Sequence, residues 1–348
     1  MLAEHQTGSE RGAQEASQED ARVLASQDRP HFIQSAAWAK VKEEFGWSSE
    51  LVELPLANGR SLVVRTYRRS VPGLGQLIHV PRVNGIAVDD VPVLSAAFRK
   101  MEKSFGVKLE LFQPDDDELA AALASEGWQT ARGTQYRHAV EIDLAGTPDD
   151  IWARLKKRTR NLVRRASEQD IVVERLEADE SAKRRMLDLV AVTKDRSGAY
   201  FHSERYSRAT WNELCAAGQG RFYCVREEGD VVASAFVATF GDRAWYKDGG
   251  SVRTGSKSNA PHLLHVRIAE ELQRDGFRSY ELGNIPDPNG PQDGPMSGLG
   301  TFKRGFSKET LSFMETVELP ITGRYRAWHV VEPLVGRVSL VKSREQWY

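Results

Sequence analysis

The feature that most limits how this chain folds is a repeated order of patterns: helix, antiparallel strands, helix, strand, met once in each half of its 348 residues. In the first half, Phe32, Trp38, Val41 and Phe45 recur at helical spacing behind Ser35, a fitting N-cap. Two alternating apolar runs, "SELVELPL" and "RSLVVRTYRRS", flank Asn58-Gly59, a hairpin signal. Strand and loop follow at "GLGQLIHVPRVNG", then a helix from Val91 and a strand at "KLELF". A short helix closed by Gly127 and a strand at "YRHAVEIDL" complete this half. The second half has helices at "SAKRRMLDLVAVTKDRSG" and "SRATWNELCAAG". Strands at "RFYCVREE", "VVASAFVATF" and "RAWYKDGGS" come next, then the helix "APHLLHVRIAEELQRDG" and the strand "SYELGN". That order predicts an α+β fold with a mostly antiparallel sheet, present twice. No repeat of the residues themselves accompanies it, so the duplication is one of architecture. A last helix, "RYRAWHVVEPLVGRVSLV", is expected to return over one half.

Residues 1–28 are rich in Gln, Glu, Ser and Ala and poor in large apolar side chains, which predicts a disordered tail. The domain boundaries read from the patterns are 29–145 for a first subdomain, completed by 321–348, and 146–320 for a second. No run approaches the roughly 20 apolar residues of a membrane-spanning helix. A basic segment followed by an apolar one is missing at the N-terminus, so no secretory leader is expected and the cytoplasm is the expected location. Cys215 and Cys224 form no CxxC pair and read as small buried hydrophobes.

One stretch breaks the even mixing of charge. Between Arg154 and Arg165, seven of twelve residues are Lys or Arg and none is acidic, in a chain of formal net charge -1. Thr147, Pro148 and Asp150 carry the N-cap, first-position and capping-box signals of a helix start. Trp152, Leu155, Thr159, Leu162, Val163 and Ala166 fall on one face, so a single amphipathic helix with a cationic outer face is expected. Most charge runs are solvated surface, but ordinary surface helices intersperse the two signs.

At "GLGTFKRGFS" the chain resembles the Fem family (FemABX-type) of non-ribosomal peptidyltransferases, which build the interpeptide bridges of peptidoglycan. The resemblance runs over roughly residues 31–320 as an ordered series: "FIQSAAWAKVK", "HAVEIDL", "LKKRTRNLVRRA", "TKDRSGAY", "WYKDGGS", "NAPHLLHVRIAEELQRDGFRSYELGNI" and "GLGTFKRGFS". It implies two GNAT-like subdomains facing a common cleft, and nothing here has the length for the long helical arm of some members. It also implies transfer of an amino acid from aminoacyl-tRNA to a peptidoglycan precursor, lipid II or UDP-MurNAc-pentapeptide, with no cofactor and no metal.

By the same resemblance Lys303 is the cation beside the developing oxyanion, and Phe302 shapes the acceptor site. Lys42 and Arg196 match phosphate-binding positions, with Lys40 competing for the place of Lys42. Tyr200 and Tyr246 match substrate contacts. Arg154, Lys156, Lys157, Arg158, Arg160, Arg164 and Arg165 become the expected tRNA contacts, because a polyanion is drawn to a cationic face in a salt-sensitive, sequence-independent way. An anionic membrane surface is a second expected partner of that face. His262 and His265 read as packing rather than as a metal pair. The Gly/Pro-rich "ELGNIPDPNGPQDGPMSGLG" is either a loop that closes over substrate or a connector.

Two rival readings stand beside this one. An acyl-CoA-dependent GNAT-type N-acyltransferase would want glycines before the helix at Ala260, where Ser256 and Ser258 stand. A non-catalytic RNA- or membrane-binding module would need only the basic helix.

Overall fold

The computed structural model describes residues 8–101, 103–197, 202–252, 259–291, 297–343, 345 and 347–348. The chain forms two compact units: residues 1–135 with 313–348, and residues 136–312.

The first unit starts with α1 (Gly8–Ser26), α2 (Ala36–Glu44), β1 (Ser48–Pro55), β2 (Ser61–Val71) and β3 (Gly75–Val83). It continues through α3 (Val91–Arg99), β4 (Ser104–Leu111), α4 (Asp117–Ser125) and β5 (Gln129–Thr130). The second unit holds β6 (His138–Asp143), α5 (Pro148–Arg154), α6 (Lys157–Ser167), β7 (Ile171–Leu176), α7 (Glu180–Ser197) and α8 (Glu204–Ala216). Then come β8 (Gly220–Glu227), β9 (Asp230–Phe240), β10 (Arg243–Ser251), α9 (Ala260–Arg274), β11 (Ser279–Asn284), α10 (Ser297–Lys303) and β12 (Leu311–Ser312). The chain returns to the first unit through β13 (Val317–Pro320) and α11 (Tyr325–Ser343).

The sheets run β1-β2-β3-β4-β13-β5 and β12-β6-β11-β10-β9-β8-β7. In each, one parallel pair interrupts an otherwise antiparallel order: β3 with β4, and β10 with β11. Each parallel pair needs a crossover, and α3 and α9 supply it. The expected doubled α+β plan is therefore what forms. The Asn58-Gly59 hairpin joins β1 to β2, with Asn58 at φ 59°. Ser35 caps α2 through Trp38 N–H at 3.1 Å.

Three expectations are corrected. The segment read as a disordered tail carries α1, because Val23 buries completely and Glu19 pairs with the Arg65 guanidinium at 2.8 Å. Asp20 also accepts from Ala36 N–H at 2.7 Å, and Ser26 exchanges hydrogen bonds with the Val63 backbone. Both unit boundaries shift: β6 pairs with β11, drawing 136–145 into the second unit, and β13 pairs with β4, drawing 313–320 into the first. The single basic helix is two, α5 and α6, parted by extended backbone at Leu155 and Lys156. Phe302-Lys303 ends a short helix, α10.

Each sheet has its own core. Leu94 and Phe98 of α3 pack on Ile78, Val80, Val107 and Leu109, and Leu263, Leu264, Ile268 and Leu272 of α9 pack on Val140, Ile142, Ala244 and Leu282. On the second sheet α7 lies directly on β10. A Cβ at Gly250 would stand 2.3 Å from the Leu189 carbonyl carbon, so only glycine permits that approach. Gly250→Ala is expected to lift α7 and cost about 3 kcal/mol, the upper end for overpacking a core, read as a lower midpoint in urea unfolding.

Candidate active site

Strands β10 and β11 stay in parallel register for only three pairs, Arg243–Ser279 to Trp245–Glu281. Beyond them β10 is irregular between Tyr246 and Asp248, and β11 shifts its pairing with β6 between Glu281 and Asn284. The strands part, and backbone groups at the opening need other partners. Lys303 fills that need: its Nζ donates to the Asn284 carbonyl at 3.0 Å and lies 5.8 Å from the centre of the Tyr246 ring.

The Lys303 side chain is almost wholly enclosed. Burial brings its pKa down to about 8, while the charge of Glu281 works the other way. An ammonium with that pKa is mostly charged at neutral pH, yet it sits where water screens little, so its field on a nearby oxyanion is strong. Glu281 is itself completely buried and accepts a hydrogen bond from the Tyr136 hydroxyl. Its charge favours the protonated form of Lys303. Glu281→Gln is expected to move the alkaline limb of kcat from about pH 8 toward lower pH while KM changes little. A limb left in place would show that Glu281 serves packing alone.

Phe302 is half-buried and meets His262, His265 and Phe306 edge-on, with ring centres 4.7, 5.6 and 5.2 Å away. Burial first, then the Arg158 charge, hold His262 near pKa 4. Burial, then Lys303 and His262, hold His265 near 3. Both rings are therefore neutral at pH 7 and pack against Phe302 and Phe306, and His265 Nδ1 lies 3.0 Å from the Tyr280 hydroxyl. Among the described residues no cluster of three or more His, Cys, Asp or Glu side chains could hold a metal ion.

The turn after Lys303 is fastened to the basic helix. Lys156 N–H donates to the Gly305 carbonyl at 3.0 Å, which explains why the chain leaves helical geometry at Leu155 and Lys156. Thr159, on the inner face of α6, is buried against Gly305, where a Cβ would stand 2.1 Å from its hydroxyl. On the outer side, Lys156, Lys157, Arg158, Arg164 and Arg165 are exposed and pair with no acid among the described residues. Arg154 and Arg160 are engaged elsewhere. Arg154 pairs with Asp143 at 2.9 Å and donates to the Ala145 carbonyl at 2.7 Å. Arg160 reaches back to the Trp152 carbonyl at 3.3 Å. These two arginines hold local structure, so five of the seven expected tRNA contacts remain presented.

In the first unit Lys42 is buried and Lys40 is exposed, which separates the two competitors. The Lys42 ammonium lies 5.4 Å from the Trp47 ring centre. Burial, with Arg69 adding to it and Glu110 and Glu345 opposing, lowers its pKa to about 7. Nearby Glu110 stays ionised, near 2: burial would raise it, but His79 at 3.1 Å, Arg82 and Thr134 N–H outweigh that. Arg196 falls in the last turn of α7, which Thr193 pins to β10 through Ser251 N–H at 2.9 Å. Tyr200 lies outside the described residues, as do Ser256, Ser258 and residues 292–296 of the Gly/Pro-rich segment.

Glu281 and Tyr136 escaped sequence reasoning. A lone Glu inside the strand "SYELGN" carries no motif, and the usable signal was only that a charged residue stands in a run whose neighbours are core.

An acetyltransferase (GNAT) domain family model matches residues 153–292, from the end of α5 past β11. No curated protein matches the sequence. Among solved structures, the crystal structure of FemX is similar over 95% of this chain and 100% of its own, with TM-score 0.78 and 17% identity. A conserved protein of unknown function from Bacteroides thetaiotaomicron VPI-5482 is similar over 88% of this chain and 96% of its own, with TM-score 0.58 and 13% identity. The chain thus has a FemX-like fold, and residues 153–292 of its second unit match a GNAT domain.

Proposed function

We propose that this chain is an aminoacyltransferase. It moves an amino acid from aminoacyl-tRNA to the side-chain amine of the stem peptide of a peptidoglycan precursor, lipid II or UDP-MurNAc-pentapeptide, in the cytoplasm. One observation carries the reading: a buried ammonium, Lys303, stands at the opening between β10 and β11, and the turn after it is bonded to Lys156, the N-cap of α6, which with α6 presents five exposed cations.

The chemistry is aminolysis of an activated ester. The amine nitrogen forms a bond to the aminoacyl carbonyl carbon, and the carbonyl oxygen becomes an oxyanion. Collapse breaks the bond to the ribose oxygen, which leaves with the proton the amine has lost. No nucleophilic side chain is required, since the ester already carries the driving force. The protein has to orient the reactants and stabilise the oxyanion, and Lys303 supplies the second. Phe302 and Tyr246 border the same opening and are assigned to the acceptor. Lys42, Arg196 and Tyr200 are assigned to its phosphate-bearing part. The outer face of α6 is assigned to the tRNA.

Charged total tRNA and a precursor pentapeptide, mixed with the purified chain and weighed by mass spectrometry, test the proposal. A mass gain of one or more amino-acid residues is expected. The GNAT match keeps a second reading in play, an acyl-CoA-dependent N-acyltransferase. Acetyl-CoA is expected to leave the melting temperature unchanged. Stabilisation by acetyl-CoA together with no mass gain would replace the first reading with the second.

A further inference from the structure

Helix α11 is apolar on the wrong side for a surface helix. Its inner face is well used: Trp328 is fully buried against Phe105 and Trp347, Tyr325 donates to Glu318, and Glu332 pairs with Lys108 at 3.1 Å. The outer face carries Val330, Leu334, Val338 and Val341, spaced by four, four and three residues, with Leu340 beside them. Val330, Leu334 and Val341 are 77%, 62% and 83% exposed. Five of the ten exposed large apolar side chains found among the described residues lie on this one helix, so they are not the scattered singles that any surface tolerates.

The charges on the same face point to one kind of partner. Arg326 and Arg337 are exposed and belong to the same stripe, four residues before Val330 and three after Leu334. Glu332 is the only acid of α11, and it is turned inward to Lys108. A two-fold contact with a second copy would bring this arginine-bearing face against itself with no acid to pair it. An interfacial helix with an apolar stripe and flanking arginines is instead what an anionic lipid surface holds, through buried apolar area plus charge attraction.

We infer that α11 docks the protein onto an anionic lipid bilayer, with Val330, Leu334 and Val341 entering the headgroup boundary and Arg326 and Arg337 meeting lipid phosphates. The inference stands apart from the aminoacyl-transfer reading, since vesicle binding requires no turnover. The test is co-sedimentation of the full chain with vesicles of phosphatidylcholine containing a minority of phosphatidylglycerol. Binding that weakens with salt is expected. The triple variant Val330→Ser, Leu334→Ser, Val341→Ser should bind at least about tenfold more weakly. The double variant Arg326→Gln, Arg337→Gln should bind about 30-fold more weakly on these vesicles, with both variants melting as the parent does because the side chains are exposed. Parent chain that stays in the supernatant overturns the inference, and so does either variant binding like the parent. A dimer in sedimentation velocity that the triple variant abolishes, with vesicle binding intact, overturns it in favour of self-association.

Discussion

Lys303→Met is expected to lower kcat for aminoacyl transfer by about 10²–10³-fold, the usual loss when one preorganised oxyanion donor is removed. KM for either substrate should move little, because the oxyanion exists only in the transition state. Stability should respond through its dependence on pH. Enclosure lowers the Lys303 pKa to about 8, below the roughly 10.4 of a lysine in an unfolded chain. Between those values the unfolded chain binds more protons than the native one, so parental stability rises with pH there. The Met variant has no such proton. Met also leaves the Asn284 carbonyl without its donor, a cost of about 1–3 kcal/mol that does not depend on pH, so its melting temperature relative to the parent's should stand highest below pH 8 and fall toward pH 10. Parental turnover by this variant, in the two-substrate assay, would remove Lys303 from the chemistry. Lost turnover with a melting-temperature difference that is the same at every pH would point to a structural role instead.

The doubled plan was legible because it rests on local signals that agree with one another. Hairpin chemistry at Asn58-Gly59, the Ser35 cap and the alternating runs all specify their elements within a few residues. What escaped depended on partners distant in sequence. Residues 8–26 hold good helix formers but few large apolar side chains, and the anchors that order them are Arg65, the Val63 backbone and the Ala36 N–H, which only the folded first unit gathers. The break between α5 and α6 has the same origin: the periodicity continues through Leu155, and a hydrogen bond to Gly305, about 150 residues later, overrides it.

The site divides along the same line. Lys303 and Phe302 were visible through the resemblance of a short motif; Lys303 is buried at the β10–β11 opening, and Phe302 is half-buried against His262 and His265. Glu281, which opposes the loss of the Lys303 proton, was invisible because its role depends on strand register rather than on sequence neighbours. Composition could count seven cations on the basic segment, but it could not separate Arg154 and Arg160, which bond to nearby backbone carbonyls, from the five that remain presented.

That separation fixes the second large expected effect. Replacing Lys157, Arg158, Arg164 and Arg165 together with Gln should weaken binding of tRNA about a thousandfold at 0.1 M salt, if each contact contributes roughly 0.7–0.9 to the slope of log affinity on log salt. The slope itself should flatten by about three, and the parent and variant curves should converge toward 1 M salt, where counterion release no longer contributes. The four side chains are exposed, so the melting temperature should hold. Arg154→Gln and Arg160→Gln provide the contrast. Each breaks a bond to a backbone carbonyl, so each should lower the melting temperature while changing the salt slope little. Filter binding of labelled tRNA across a salt series reads both quantities. Superimposed curves for the parent and the fourfold variant would reduce α6 to a solvated face. A lower affinity with an unchanged slope would mean that the lost contacts are not to phosphates, because only neutralised phosphates release counterions.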